Sequence, residues 1–231
     1  MALVHSPRIV TDGLVLALDA GNTKSYPGTG ITWNDLSLNK NNATLVGPTY
    51  QTTDGGRFNF DGNNDYVNNL STALSDSFWQ ANWTASLWVR FDTINTTTSG
   101  SNDKCLVSHG QNSTPNGLSL NNRNSRIHHS LYGDFYQSTS TITTNTWYNV
   151  VYTLNNSTFG GQIYLNGIFD NSGTFGGAYG GTGSNTQIAD TVLNFGLPFD
   201  GQMGKCDFYN RVLTSTEIKQ NYDAHRGRYG I

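Results

Sequence analysis

Trp83-Thr84-Ala85-Ser86-Leu87-Trp88-Val89-Arg90-Phe91 is the stretch that decides the fold class. In an extended chain Trp83, Ala85, Leu87, Val89 and Phe91 fall on one side, and Thr84, Ser86, Trp88 and Arg90 on the other. A helix would scatter these apolar residues around its axis, whereas a strand gathers them on one face. The stretch therefore predicts a strand with one dry face and, on the other, a tryptophan among polar neighbours.

The same reading extends in both directions. Gly13-Leu14-Val15-Leu16-Ala17-Leu18 is a continuous apolar run, the pattern of a strand covered on both sides. Phe58 and Phe60 share a face in Gly56 to Asp61, and Asp61-Gly62-Asn63-Asn64 turns the chain into Asp65-Tyr66-Val67. Strands are predicted at Lys104 to His109, Gly117 to Leu120, Arg126 to Tyr132 and Trp147 to Leu154. Gln162 to Leu165 leads into Asn166-Gly167, the dipeptide that most favours a type I′ hairpin, and Ile168-Phe169 returns. The glycine-rich stretch Gly173 to Gly183 reads as a mobile loop. Thr214-Ser215-Thr216-Glu217 fits a capping box, with Ile218 and Tyr222 on one face of the helix that follows. Many short strands and one late helix predict an all-β fold: a two-sheet antiparallel β-sandwich of jelly-roll type with a short C-terminal helix. With neither repeat nor linker, residues 1–231 read as a single domain: core about 9–222, N-terminal arm 1–8, C-terminal tail 226–231.

Composition agrees. Charged residues make up 13% of the 231, about half the share of an average soluble domain. Asn, Ser, Thr and Gly take their place, and these suit turns better than helices. A net charge of -3 gives no electrostatic footprint for nucleic acid or anionic lipid. Membrane insertion is not expected, since no apolar run approaches the ~20 residues a spanning helix needs. A secretory leader is not expected either, because the short run Val15 to Ala17 has no basic segment before it and ends at Asp19. The protein is thus expected to fold in the cytoplasm of the cell that makes it. Cys105 and Cys206 lack metal-ligand spacing and read as partly buried thiols, a bridge remaining open if the fold brings them together.

Five fragments in order carry a resemblance. They are Gly13 to Ala20 (GLVLALDA), Trp33-Asn34-Asp35-Leu36-Ser37, Asn41 to Leu45 (NNATL), Phe60 to Val67 (FDGNNDYV), and Phe208-Tyr209-Asn210-Arg211 with Glu217-Ile218. In this order the chain resembles the concanavalin A-like lectin/glucanase superfamily, in the laminin-G-like branch found in bacteriophage and environmental bacterial proteins. The resemblance runs from about Ile9 to Tyr222 and implies a jelly roll with one concave sheet. It leaves function open, because lectins, glycosidases and structural domains share the fold. The ending Arg228-Tyr229-Gly230-Ile231 looks like the tails of phage-encoded relatives.

The glucanases of the superfamily carry two glutamates around an aspartate, whereas Glu217 is the only glutamate in this chain and the helix cap accounts for it. Glycoside hydrolysis needs two carboxyls roughly 5–9.5 Å apart; Asp61 and Asp65 are the nearest pair, and both flank a turn. No catalytic residue is assigned. His128 and His129 are adjacent and point to opposite faces of a strand, so they cannot chelate one ion together. No metal ligand is assigned, calcium being the one cofactor left open, near Asp61 and Asp65.

Arg126 to Tyr132 offers a binding face. Ile127, His129 and Leu131 suit the core; Arg126, His128, Ser130 and Tyr132 form a polar-aromatic stripe of the kind that stacks on sugars or meets a protein. Trp88, Arg126, His128 and Tyr132 are the predicted ligand-binding residues, with Trp88 on the same outer surface. The expected function is a non-enzymatic virion structural protein, a capsid decoration (cement) or fibre protein on the particle surface, assembled in the host cytoplasm. Expected partners are other virion proteins or copies of itself in a homo-oligomer, with surface glycans as a further ligand. A free-standing carbohydrate-binding lectin is the alternative, and a polysaccharide hydrolase the distant one.

Overall fold

A computed structural model describes residues 7–111, 117–131, 133–181, 185–192 and 196–231. The strands are β1 (Leu14–Asp19), β2 (Thr32–Trp33), β3 (Ala43–Val46), β4 (Thr49–Gln51), β5 (Arg57–Asp61), β6 (Tyr66–Asn68), β7 (Trp83–Phe91) and β8 (Lys104–Gly110). They continue with β9 (Gly117–Arg123), β10 (Arg126–Leu131), β11 (Asp134–Gln137), β12 (Trp147–Asn155), β13 (Gly160–Leu165), β14 (Ile168–Thr174), β15 (Thr186–Ile188) and β16 (Asp200–Tyr209). Two helices accompany them, α1 (Asp76–Trp79) and α2 (Ser215–His225). One eight-stranded sheet runs β14-β13-β12-β7-β16-β5-β4, with β1 also paired to β16; the other runs β11-β10-β9-β8-β15-β6-β3-β2. All the strand pairs are antiparallel.

The two inner faces meet in one apolar core. Trp83, Ala85, Leu87, Val89 and Phe91 all lie in it, facing Leu106, Leu118, Leu120 and Ile127 of the second sheet. Phe58 and Phe60 are buried there as their spacing predicts. Asp61-Gly62-Asn63-Asn64 is a turn: Asp61 accepts the Asn63 N–H at 2.9 Å, and Asp65 accepts that of Asp61 at 3.0 Å. Cys105 and Cys206 are buried free thiols in β8 and β16, one in each sheet.

The outer side of β7 corrects the reading of an open polar face. Thr84 donates to the Arg211 carbonyl at 2.8 Å and accepts the Leu213 N–H at 3.0 Å, and Ser86 accepts from Asn149 at 3.2 Å. Trp88 is 2% exposed, its ring stacked 4.3 Å from Tyr229 and 5.7 Å from Tyr222. The cause is the end of the chain. The capping box forms as predicted, with Thr214 accepting from Glu217 N and Glu217 accepting from Thr214 N, and α2 starts there. Ile218 then packs on Val151, Tyr164 and Tyr209, so the helix covers the outer face of the first sheet. The tail from Arg226 is likewise held against the domain, Tyr229 filling the space over Trp88 and Trp147.

The glycine-rich stretch also differs from expectation. Gly173 belongs to β14, and Phe175 and Tyr179 are buried in the main core, anchoring the segment as far as it is described; residues 182–183 lie outside the described residues. Its glycines are read easily from composition, but its two aromatic anchors outweigh them energetically, each burying a large apolar ring.

Candidate functional site

The second sheet turns its outer face to a groove. Along β9 and β10 alternate residues leave the core: Leu118, Leu120, Ile127 and His129 point inward, so Ser119, Asn121, Arg123, Arg126, His128 and Ser130 point out. Register then makes rows of them. Ser119 lies opposite Ser130 and Asn121 opposite His128, and β11 adds Phe135 beside Ser130 and Gln137 beside His128. The resulting groove has a volume of about 570 Å³ and is lined by Ser119, Asn121, Arg123, Ser130 and Phe135, with Asp103 and Leu197 from the adjoining loops.

Asp103 organises its floor. The carboxylate, fully buried, accepts from Asn95 Nδ2 at 2.9 Å, Asn121 Nδ2 at 2.6 Å and Arg123 Nη2 at 2.6 Å. A buried carboxylate with this many donors holds each of them in one geometry. Asn121 is thereby oriented with Oδ1 free, and that oxygen is buried without a hydrogen-bond partner among the described residues. Ser130 Oγ and His128 Nδ1 are in the same condition. Leaving a buried polar atom unpaired costs about 1–3 kcal/mol, and three such atoms lie within two adjoining rows of this one face.

Above the floor stands an aromatic platform. Phe135 is 53% exposed, where a phenylalanine is more often buried. Its ring stacks on His128 at 5.0 Å and 22°, with the Arg123 guanidinium carbon 5.8 Å from the centroid. His128 Nε2 meets Gln137 Oε1 at 2.7 Å, and burial lowers the imidazole pKa, which favours the neutral ring.

The predicted site residues are thus divided. His128 lies in the site, beneath Phe135 and 1% exposed rather than on the surface. Arg126 shares the face but is turned away, Nη1 donating to the carbonyls of Ser138 and Thr139. Trp88 belongs to the other sheet, under the C-terminal tail, so the surface expected to unite it with Arg126 and His128 does not exist. Tyr132 lies outside the described residues. Sequence reasoning missed Asp103, Asn121, Arg123 and Phe135. The alternation Ser119, Asn121, Arg123 was visible as a polar face; the gathering of Asn95, Asn121 and Arg123 on Asp103 depends on chain pairing.

Other reactive-looking groups are built into the scaffold. His109 Nε2 lies 3.0 Å from Asp76 Oδ1 and Nδ1 lies 2.9 Å from Thr186 Oγ1, a histidine between a carboxylate and a hydroxyl. Yet Thr186 donates to the Leu74 carbonyl and accepts from Trp79 Nε1, and both His109 and Thr186 are buried. Among the described residues no group of three or more His, Cys, Asp or Glu is placed to hold a metal ion.

A sequence model described as the concanavalin A-like lectin/glucanases superfamily, of laminin-G type, matches residues 61–219. The chain belongs to that superfamily. No curated protein matches it in sequence. Solved structures show the fold of this concanavalin A-like domain at low identity. Trypanosoma rangeli sialidase is 18% identical at a TM-score of 0.66, over 99% of this chain and 36% of its own. Domain 4 of AbnA, a GH43 extracellular arabinanase from Geobacillus stearothermophilus, was solved with arabinotriose; it is 16% identical at 0.66, over 92% of this chain and 100% of its own. The botulinum neurotoxin type G receptor-binding domain is 17% identical at 0.63, over 91% of this chain and 51% of its own. The chain therefore spans about a third of the sialidase and half of the toxin domain. The lectin-like fold occurs in both enzymes and binding domains.

Proposed function

We propose that this domain is a non-enzymatic carbohydrate-binding module, with its ligand in the groove over β9, β10 and β11. The observation that carries the reading is an exposed aromatic ring, Phe135, beside buried polar atoms that lack partners, Asn121 Oδ1 and Ser130 Oγ. A sugar ring matches both, one apolar C–H face for stacking and hydroxyls at its rim. The arabinotriose bound to the arabinanase domain supports the substrate class. Binding without turnover is favoured because Asp103 is engaged by Asn95, Asn121 and Arg123, and Asp134, the other carboxylate lining the groove, sits on its open side. The test is a glycan array followed by calorimetric titration of the best member. Phe135→Ala is expected to weaken binding about ten-fold, the loss of one stacked ring; equal affinity would remove the groove as the site.

A second reading places the module on a phage particle as a cement or fibre protein. What favours association is the start of the edge strand β14, where Ile168 is 67% and Phe169 49% exposed, two apolar side chains suited to a neighbouring copy. Immunogold labelling of a lysate from the source would show gold on particles; gold only on debris or in solution would overturn it.

A further inference from the structure

Hydrogen-bond polarity and charge in the groove say which saccharides fit, given the carbohydrate reading above on which this rests. The Asn121 amide must give its N–H to Asp103, so the atom left over is an oxygen, an acceptor. It needs a donor from the ligand. A sugar hydroxyl can donate; an ionised carboxylate, sulfate or phosphate ester oxygen cannot.

Charge points the same way. Among the described residues, the charged side chains lining the groove are Asp103, Arg123 and Asp134. Arg123 is spent on Asp103, with Nε 3.0 Å from each carboxylate oxygen and Nη2 2.6 Å from Oδ2. Arg126, the next cation on this face, is bonded to the carbonyls of Ser138 and Thr139. Asp134 is left, exposed at the groove wall and receiving the Gly176 N–H at 2.8 Å. An anionic ligand would lose hydration and meet a net negative wall with its one cation already neutralised.

We propose that the groove selects neutral saccharides, hydroxyl-donating sugars stacked on Phe135, and discriminates against sialylated, uronate-bearing or sulfated ones.

The experiment is a printed array of matched pairs, each neutral oligosaccharide beside its sialylated, uronate-bearing or sulfated form, probed with the full chain. Neutral members are expected to bind at least ten-fold more tightly than their acidic partners, about 1.4 kcal/mol. Acidic members binding equally or better would overturn the selectivity while leaving the carbohydrate reading standing. An array with no bound member at all would overturn that reading and this inference with it. Asp134→Asn, at an exposed position, is expected to narrow the neutral-to-acidic ratio by several-fold. An unchanged ratio would show that the wall charge does not set the selectivity.

Discussion

Arg228 reaches from the C-terminal tail to Asp19, 209 residues earlier, and its Nη1 lies 2.5 Å from Asp19 Oδ1. The rest of the guanidinium donates to backbone carbonyls, to Gly56 at 2.7 Å, Asp54 at 3.3 Å and Gly204 at 3.4 Å. Gly21 leaves room for it, since a Cβ there would fall 2.5 Å from Arg228 Cζ and 1.8 Å from the Gly55 oxygen. Burial penalises the Asp19 charge, but Lys205 and Arg228 together hold its carboxyl below the usual range. Removing Arg228 leaves the mostly buried Asp19 carboxylate with only Lys205 at 3.9 Å and the Gly21 N–H, and takes a donor from three carbonyls, of which Gly204 keeps the Ala20 N–H. Arg228→Ala is expected to lower stability by about 2–4 kcal/mol. Arg228→Lys should recover only part of that, because an ammonium cannot match the planar fork. The check is the urea midpoint of each variant; wild-type midpoints would mean the tail only rests on the sheet.

That relationship also shows where the sequence ceases to be legible. Elements governed by neighbours along the chain could be read directly: the alternation of Trp83 to Phe91, the Thr214–Glu217 capping box, the Asn166-Gly167 turn. Trp88 could not, because its surroundings are Tyr222 and Tyr229, brought over it by a helix packed on a sheet whose strand order is non-sequential. The groove sits between these cases. His128 was placed on the correct side of β10 by period two alone, but its burial comes from Phe135 across the β10–β11 pair. Asp103 reads as one loop aspartate among many until β8 and β9 set Asn121 and Arg123 beside it.

Acid should loosen the fold through its histidines before its carboxylates. Burial pushes His109 down to about 4, against the pull of Asp76, and His129 down to about 3. An unfolded histidine takes its proton near 6.5. Below about pH 6.5 the unfolded chain therefore binds protons that the folded chain refuses, and stability falls as pH drops toward 4. His128 and His225, also lowered by burial, act in the same direction. Asp65, Asp190 and Asp207, raised by burial, bind protons more readily when folded and offset part of the loss. Glu217, held at about 2 chiefly by its hydrogen bonds from Arg211, contributes fully above about pH 4.5 and is lost only below it. The expected loss between pH 7 and 5 is about 2–4 kcal/mol, measured by urea denaturation at each pH. His129→Leu should flatten that slope by up to about 1.4 kcal/mol per pH unit; an unaltered slope would mean His129 gains its proton without unfolding.

The hairpin between β13 and β14 couples a local turn to the C-terminal cover. Asn166 and Gly167 have φ of 52° and 73°, the left-handed pair that a type I′ turn requires. A Cβ on Gly167 would also lie 2.9 Å from Cβ, Cγ and Cδ1 of Tyr222, the residue stacked on Trp88 at 7°. Gly167→Ala thus meets two separate penalties, about 1–2 kcal/mol for the left-handed backbone and a further cost for moving Tyr222. Asn166→Gly keeps the left-handed conformation open and touches nothing of Tyr222, but it removes the Oδ1 that accepts the Asn149 N–H at 2.9 Å, so it probes the turn and that bond apart from the Tyr222 contact. Gly167→Ala is expected to lower the urea midpoint and to change the near-ultraviolet circular dichroism of the Trp88 cluster, while Asn166→Gly lowers the midpoint through the lost Asn149 bond, by about 1 kcal/mol, and leaves the dichroism unaltered. In Gly167→Ala a lowered midpoint with unaltered aromatic dichroism would confine the effect to the backbone, and the hairpin would then stabilise the sheet without bracing the helix that covers it.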